Sequence, residues 1–199
     1  MGQLVSTASP TGDELRLRAK KCSDELSDLH QQIRVSQNSR DFQKVTELRT
    51  KVDEKHKERD LLNAKAAAEI FAAHNPSYPD LGDSWRTTIT RLWSGKNMMD
   101  GLKKIDLHGL FVKEAKQKME EHLEACRIWK VRNTWIITGR GKNSVGGVAK
   151  IRPEVEEWLK IHGPGMGIRI MDASNPGAFQ LELTGEKTIL GSLWAMLGY

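Results

Sequence analysis

Apolar residues recur every three or four positions from Asp13 to about Val35: Leu15, Ala19, Cys22, Leu26, Leu29 and Ile33. That spacing lines one face of an α-helix. Gln37-Asn38-Ser39 interrupts the pattern. A second helical run then extends from about Asp41 through Val45, Leu48, Val52, Leu62, Ala66 and Ile70 to Ala73, where Asn75-Pro76 and Pro79 stop it. Two charge-dense helices joined by a short polar turn predict an α-helical hairpin of coiled-coil type over residues 13–76. Nothing in it looks catalytic, and the expected role is packing or the docking of a protein partner.

From Lys103 the periodicity changes. Lys103-Lys104-Ile105-Asp106-Leu107-His108-Gly109 predicts a short strand. Val112, Ala115, Met119, Leu123 and Cys126 predict a helix with one apolar face. Asn133 to Gly139 is β-branched and aromatic and reads as a buried strand. Pro153 suits the first turn of a second helix, with Val155, Trp158, Leu159 and Ile161 as its apolar face and His162-Gly163-Pro164-Gly165 as its end. Two more strands, Gly167 to Met171 and Phe179 to Leu183, flank the turn residues Ser174-Asn175-Pro176-Gly177. The order βαβαββ predicts an α/β fold, a two-layer sandwich on a mixed sheet, over residues 101–185. Residues 1–12 read as a flexible leader and 77–100 as a linker whose Trp85 and Trp93 dock on a domain. Residues 186–199 read as an apolar tail, too short to cross a bilayer.

Composition sharpens this picture in a few places. Formal net charge is +5, but acidic and basic side chains nearly balance in the hairpin. Ala125 to Pro153 holds Arg127, Lys130, Arg132, Arg140, Lys142, Lys150 and Arg152 and no acid. An acid-free basic stretch suits phosphate binding, and also a solvated surface. Cys22 and Cys126 match no C-x-x-C pattern, and no histidine pairs with a cysteine or carboxylate at ligand spacing. These features argue for a reducing, cytoplasmic setting and against a zinc site. Met1-Gly2-Gln3-Leu4-Val5-Ser6 fits the short N-myristoylation pattern at Gly2, which by itself would give marginal membrane association. No run is long enough for a transmembrane segment.

Two clusters carry candidate chemistry. Side chains alternate along a strand, so Asp106 and His108 are expected on one face at the carboxyl end of the first strand, where open α/β sheets bind ligands. A carboxylate there can orient an imidazole for acid–base work; equally, the pair can be a loop cap and a packed histidine. The second cluster follows the second strand. Gly139, Gly141, Gly146 and Gly147 allow a loop whose amides turn inward as an anion nest. Arg140, Lys142, Asn143 and Ser144 lie within it, and Lys150 and Arg152 stand at the next helix N-terminus. Neither a dinucleotide fingerprint nor a Walker A loop fits this spacing. If the two strands are neighbours, Asp106, His108, Arg140 and the loop amides converge on one phosphate.

The motifs Asp106-Leu107-His108-Gly109, Thr138-Gly139-Arg140-Gly141, Ser144 to Gly147 and Asn175 to Gly177 resemble the Smr domain, found in certain MutS homologues and in stand-alone proteins. The resemblance covers roughly Lys103 to Leu183. Residues from about Asp41 to Pro76 also resemble the short helical domain that often precedes Smr in eukaryotic proteins. What the resemblance implies is a nuclease module acting on nucleic acid, RNA favoured over DNA, in some members on mRNA at stalled ribosomes. The residues usually assigned to activity fall on Asp106, His108, Gly139, Arg140 and Gly141. One departure is Asn143, where many eukaryotic members have histidine. It keeps a non-catalytic nucleic-acid or ribosome-binding module open beside the endonuclease. No cofactor is required by the pattern, although one carboxylate plus substrate oxygens can hold Mg²⁺.

Overall fold

The computed structural model describes residues 10–79, 98–142 and 144–184. The expectations for Gly2, Trp85, Trp93, Asn143 and the tail 186–199 fall outside these residues. Contacts divide the chain into two compact units, Met1–Ile70 and Phe71–Tyr199.

The first unit is the helical hairpin. Helix α1 (Gly12–Asn38) starts at a capping box: the Thr11 hydroxyl accepts from the Glu14 amide, and the Glu14 carboxylate accepts from the Thr11 amide. It runs three residues past the expected end at Val35. Arg40 then adopts φ 56°, and the Asp41 amide bonds back to Ser36 O, which closes the helix terminus. Asp41 caps helix α2 (Phe42–His74) by accepting from the Lys44 amide. Leu15, Ala19, Cys22 and Leu26 are buried on α1, and Val45, Leu48, Val52 and Ala66 on α2. Arg16 donates to Asn63 Oδ1 at 2.9 Å, and Lys55 pairs with Glu25 at 2.8 Å, so the helices run antiparallel.

The second unit begins with the last turn of α2. A short helix α3 (Met98–Gly101) leads into strand β1 (Lys104–Asp106), followed by α4 (Val112–Ile128), β2 (Asn133–Ile137), α5 (Ile151–His162), β3 (Ile168–Asp172) and β4 (Ala178–Leu183). The sheet order is β1-β2-β4-β3. β1 and β2 are parallel, with Asp106 opposite Ile137, and the other two pairings are antiparallel. One sheet face carries Ile105, Ile136, Phe179 and Leu181, all completely buried with Met119, Leu123 and Cys126 of α4 and Val155 of α5. The opposite face leaves Asn133 and Trp135 of β2 exposed. This is the two-layer α/β arrangement that the pattern of strands and helices predicts. Ile161 departs from its expected place in the core: it is 64% exposed, because the buried stripe of α5 is Ile151, Val155 and Leu159.

A chain of hydrogen bonds crosses this core. Thr134 donates its hydroxyl hydrogen to Leu102 O at 3.0 Å, so at 2.8 Å its oxygen accepts from His122 Nε2. The neutral imidazole then accepts at Nδ1 from the Tyr78 hydroxyl, 3.1 Å away. Burial holds the His122 pKa down to about 4, pushes the Cys126 thiol up to about 12, and raises that of the Tyr78 phenol.

Candidate active site

Strand β1 ends at Asp106, so the expected sharing of one strand face with His108 does not hold. His108 lies in the turn beyond the strand. The pair meets because the turn folds back: Asp106 Oδ1 accepts from the His108 amide at 3.0 Å and from its ring Nδ1 at 2.6 Å. A carboxylate only accepts, so Nδ1 carries the hydrogen and Nε2 is left with its lone pair. The histidine side chain is 46% exposed and the aspartate 19%. The imidazole is thus open to a ligand while its carboxylate partner is largely covered.

The strands are neighbours, and this brings the glycine-rich loop to the pair. Gly139 has φ 74°, and a Cβ built there would lie 3.0 Å from His108 Cβ. Only glycine fits that backbone without displacing the histidine. The Arg140 side chain passes over Gly177, whose carbonyl accepts from the Thr138 and Gly139 amides at 2.8 and 3.2 Å. Gly141 also has φ 74°, and a side chain there would strike the Val148–Ala149 backbone. Ser144 bonds its amide to Gly141 O at 2.9 Å and begins a short 3₁₀ turn, Val145–Gly147. Arg140, Lys142 and Lys150 are exposed. Arg152 is engaged differently: it donates to Asn175 O, Ala178 O and Ala173 O at 2.7, 3.2 and 2.9 Å and lies over the Phe179 ring. Its guanidinium braces the β3–β4 turn that carries Gly177.

His74 at the end of α2 and Asn75 and Tyr78 just beyond it also reach this region, and nothing in their spacing marks them as functional. Asn75 Nδ2 donates to Asp106 O at 2.8 Å, and its Oδ1 accepts from the Asp106 amide at 2.7 Å. β1 is an edge strand, so the side-chain amide occupies backbone groups that a further strand would otherwise take. The His74 ring stacks on His108, with centroids 3.8 Å apart and planes inclined by 26°. Tyr78 ties the same segment to His122. Among the described residues, no three histidine, cysteine, aspartate or glutamate side chains form a group able to hold a metal ion.

A two-layer α/β domain thus presents a carboxylate–imidazole pair and a basic glycine loop at the carboxyl ends of two parallel strands. Residues 105–177 match the family model of the Smr domain. The chain is similar to endonuclease NBR9 of Saccharomyces cerevisiae, at 29% identity over 69% of this chain and 61% of that protein. It is also similar to the Smr domain-containing protein C11H11.03c of Schizosaccharomyces pombe, at 33% identity over 38% of this chain. The chain thus spans 61% and 36% of these relatives' own lengths. The solved solution structure of the B3BP Smr domain matches with 29% identity and a TM-score of 0.36, covering 61% of this chain and 96% of that one.

Proposed function

We propose that the Smr unit is a nucleic-acid endonuclease that cleaves RNA in preference to DNA. The observation that carries this reading is the 2.6 Å bond from His108 Nδ1 to Asp106, which leaves Nε2 as a base beside the Arg140 loop. In the proposed step, His108 Nε2 takes the proton of the attacking hydroxyl while Asp106 stabilises the imidazolium that forms. Arg140 and Lys142, exposed on the loop, meet the charge developing on the phosphorane. RNA supplies its own nucleophile in the adjacent ribose 2′-hydroxyl: its oxygen bonds to phosphorus as the P–O5′ bond breaks, leaving a 2′,3′-cyclic phosphate, and the departing 5′-oxygen takes a proton from water. The yeast relative's name, an endonuclease, supports the same reaction class. Mg²⁺, if used, would add charge neutralisation at substrate oxygens next to Asp106.

Asn143 favours a second reading. Without a second imidazole in the loop, the same groove would hold a phosphate backbone without cutting it. The hairpin would then dock on a ribosome or a protein. Among the described residues no helix is long and apolar enough to cross a membrane. Incubating the purified chain with end-labelled RNA and DNA, with and without EDTA, separates the two readings. The endonuclease yields discrete RNA fragments, whereas the binding module retards RNA and leaves it whole.

A further inference from the structure

The site continues outside the segment that the Smr model matches. We infer that His74, the last residue of α2, is a positioning residue for His108, acting with Asn75 next to it; the inference rests on the endonuclease reading for its consequence on rate. Asp106 holds His108 through hydrogen bonds on one edge of the ring. At a half-exposed ring the side-chain bond breaks when the ring turns away, and the preference for the Nδ1–H form goes with it. The face of His74, stacked at 3.8 Å, restrains that turning.

On the opposite side of the carboxylate, the two Asn75 bonds fix the Asp106 backbone itself. The His74 ring is not there for a hydrogen bond at Nδ1: that atom is buried and has no partner among the described residues. What the arrangement uses is the flat face. Misplacing a reacting group by about 1 Å can cost on the order of a hundredfold in rate, so a half-exposed imidazole gains from a second constraint.

The test uses the full chain with His74→Ala and His74→Phe, read by single-turnover RNA cleavage at saturating protein and by ¹⁵N NMR of the His108 ring. His74→Ala should slow cleavage about tenfold or more, with affinity for uncleaved RNA unchanged. Its His108 ring should become a mixture of tautomers in place of the Nδ1–H form. His74→Phe keeps a flat face and should cleave at close to the wild-type rate with the Nδ1–H form intact. A wild-type rate and tautomer in His74→Ala would overturn the inference. So would a His74→Phe variant as slow as His74→Ala, because the proton and not the face would then be what His74 supplies. If the wild-type chain cleaves no RNA, the endonuclease reading fails alone, and the tautomer comparison still decides whether His74 positions His108.

Discussion

Two histidines of the same α/β unit show how surroundings assign a role. His108 stands in a turn at the sheet edge, half exposed, bonded to a carboxylate and facing a basic loop. His122 is completely buried on α4, bonded to the hydroxyls of Tyr78 and Thr134. A carboxylate orients the ring through its hydrogen bond, and exposure lets a ligand reach it. Hydroxyls and burial favour the neutral ring and exclude a ligand. In the proposed function the first imidazole transfers a proton, while the second holds the core together. Both depend on residues 74–78, which touch the first through His74 and Asn75 and the second through Tyr78.

Removing the buried ring gives the largest expected effect on stability. His122→Ala leaves a cavity and strands Tyr78 and Thr134, so it should cost about 2–5 kcal/mol in urea unfolding. Any cleavage per folded molecule should be unchanged. A loss of rate without loss of stability would erase the contrast between the two histidines.

Acid sharpens the same contrast. The His122 pKa is about 4 in the fold, against about 6.5 in an unfolded chain. Above pH 6.5 neither state is protonated and the group contributes no pH dependence. Between 6.5 and 4 the unfolded chain takes up the proton and the folded one does not, so stability falls with pH. The total is on the order of 3 kcal/mol. His122→Gln should flatten that part of a melting-temperature profile; an equally steep profile would show that the acid sensitivity lies elsewhere.

Effects at the exposed site should be read in binding. Arg140→Ala should weaken RNA affinity by about ten- to a hundredfold, on the order of the 1.5–3 kcal/mol worth of a hydrogen bond to a charged group. Arg152→Ala should show up mainly as lower stability, through the turn that it braces. Comparing filter-binding affinities and melting temperatures for both variants tests that division. The smallest effect is on salt dependence: Lys142→Ala should reduce the log–log slope by about 0.7 on single strands, and an unchanged slope would remove Lys142 from the groove.

Much of this architecture was readable from spacing. The apolar periods of α1, α2 and α4 and the β-branched run of β2 follow directly from which side chains are buried. The Asp106–His108 proximity was readable too, although for the wrong reason: a turn makes it, not strand alternation. His74 and Asn75 were hidden because they end a helix 31 residues or more before Asp106. In sequence, Asn75-Pro76 carries only the signal of a helix stop. Arg152 looked like one more phosphate cation because composition cannot tell a guanidinium that caps carbonyls from one that faces solvent.

In the proposed function Asp106 and His108 act together on a phosphate held by the Arg140 loop. The most direct test measures single-turnover RNA cleavage and melting temperature on the same preparation of His108→Ala. Loss of a positioned base predicts a rate lower by roughly 10²–10⁴-fold, with RNA affinity and melting temperature close to wild type. A destabilised variant that cleaves at the full rate per folded molecule would contradict it.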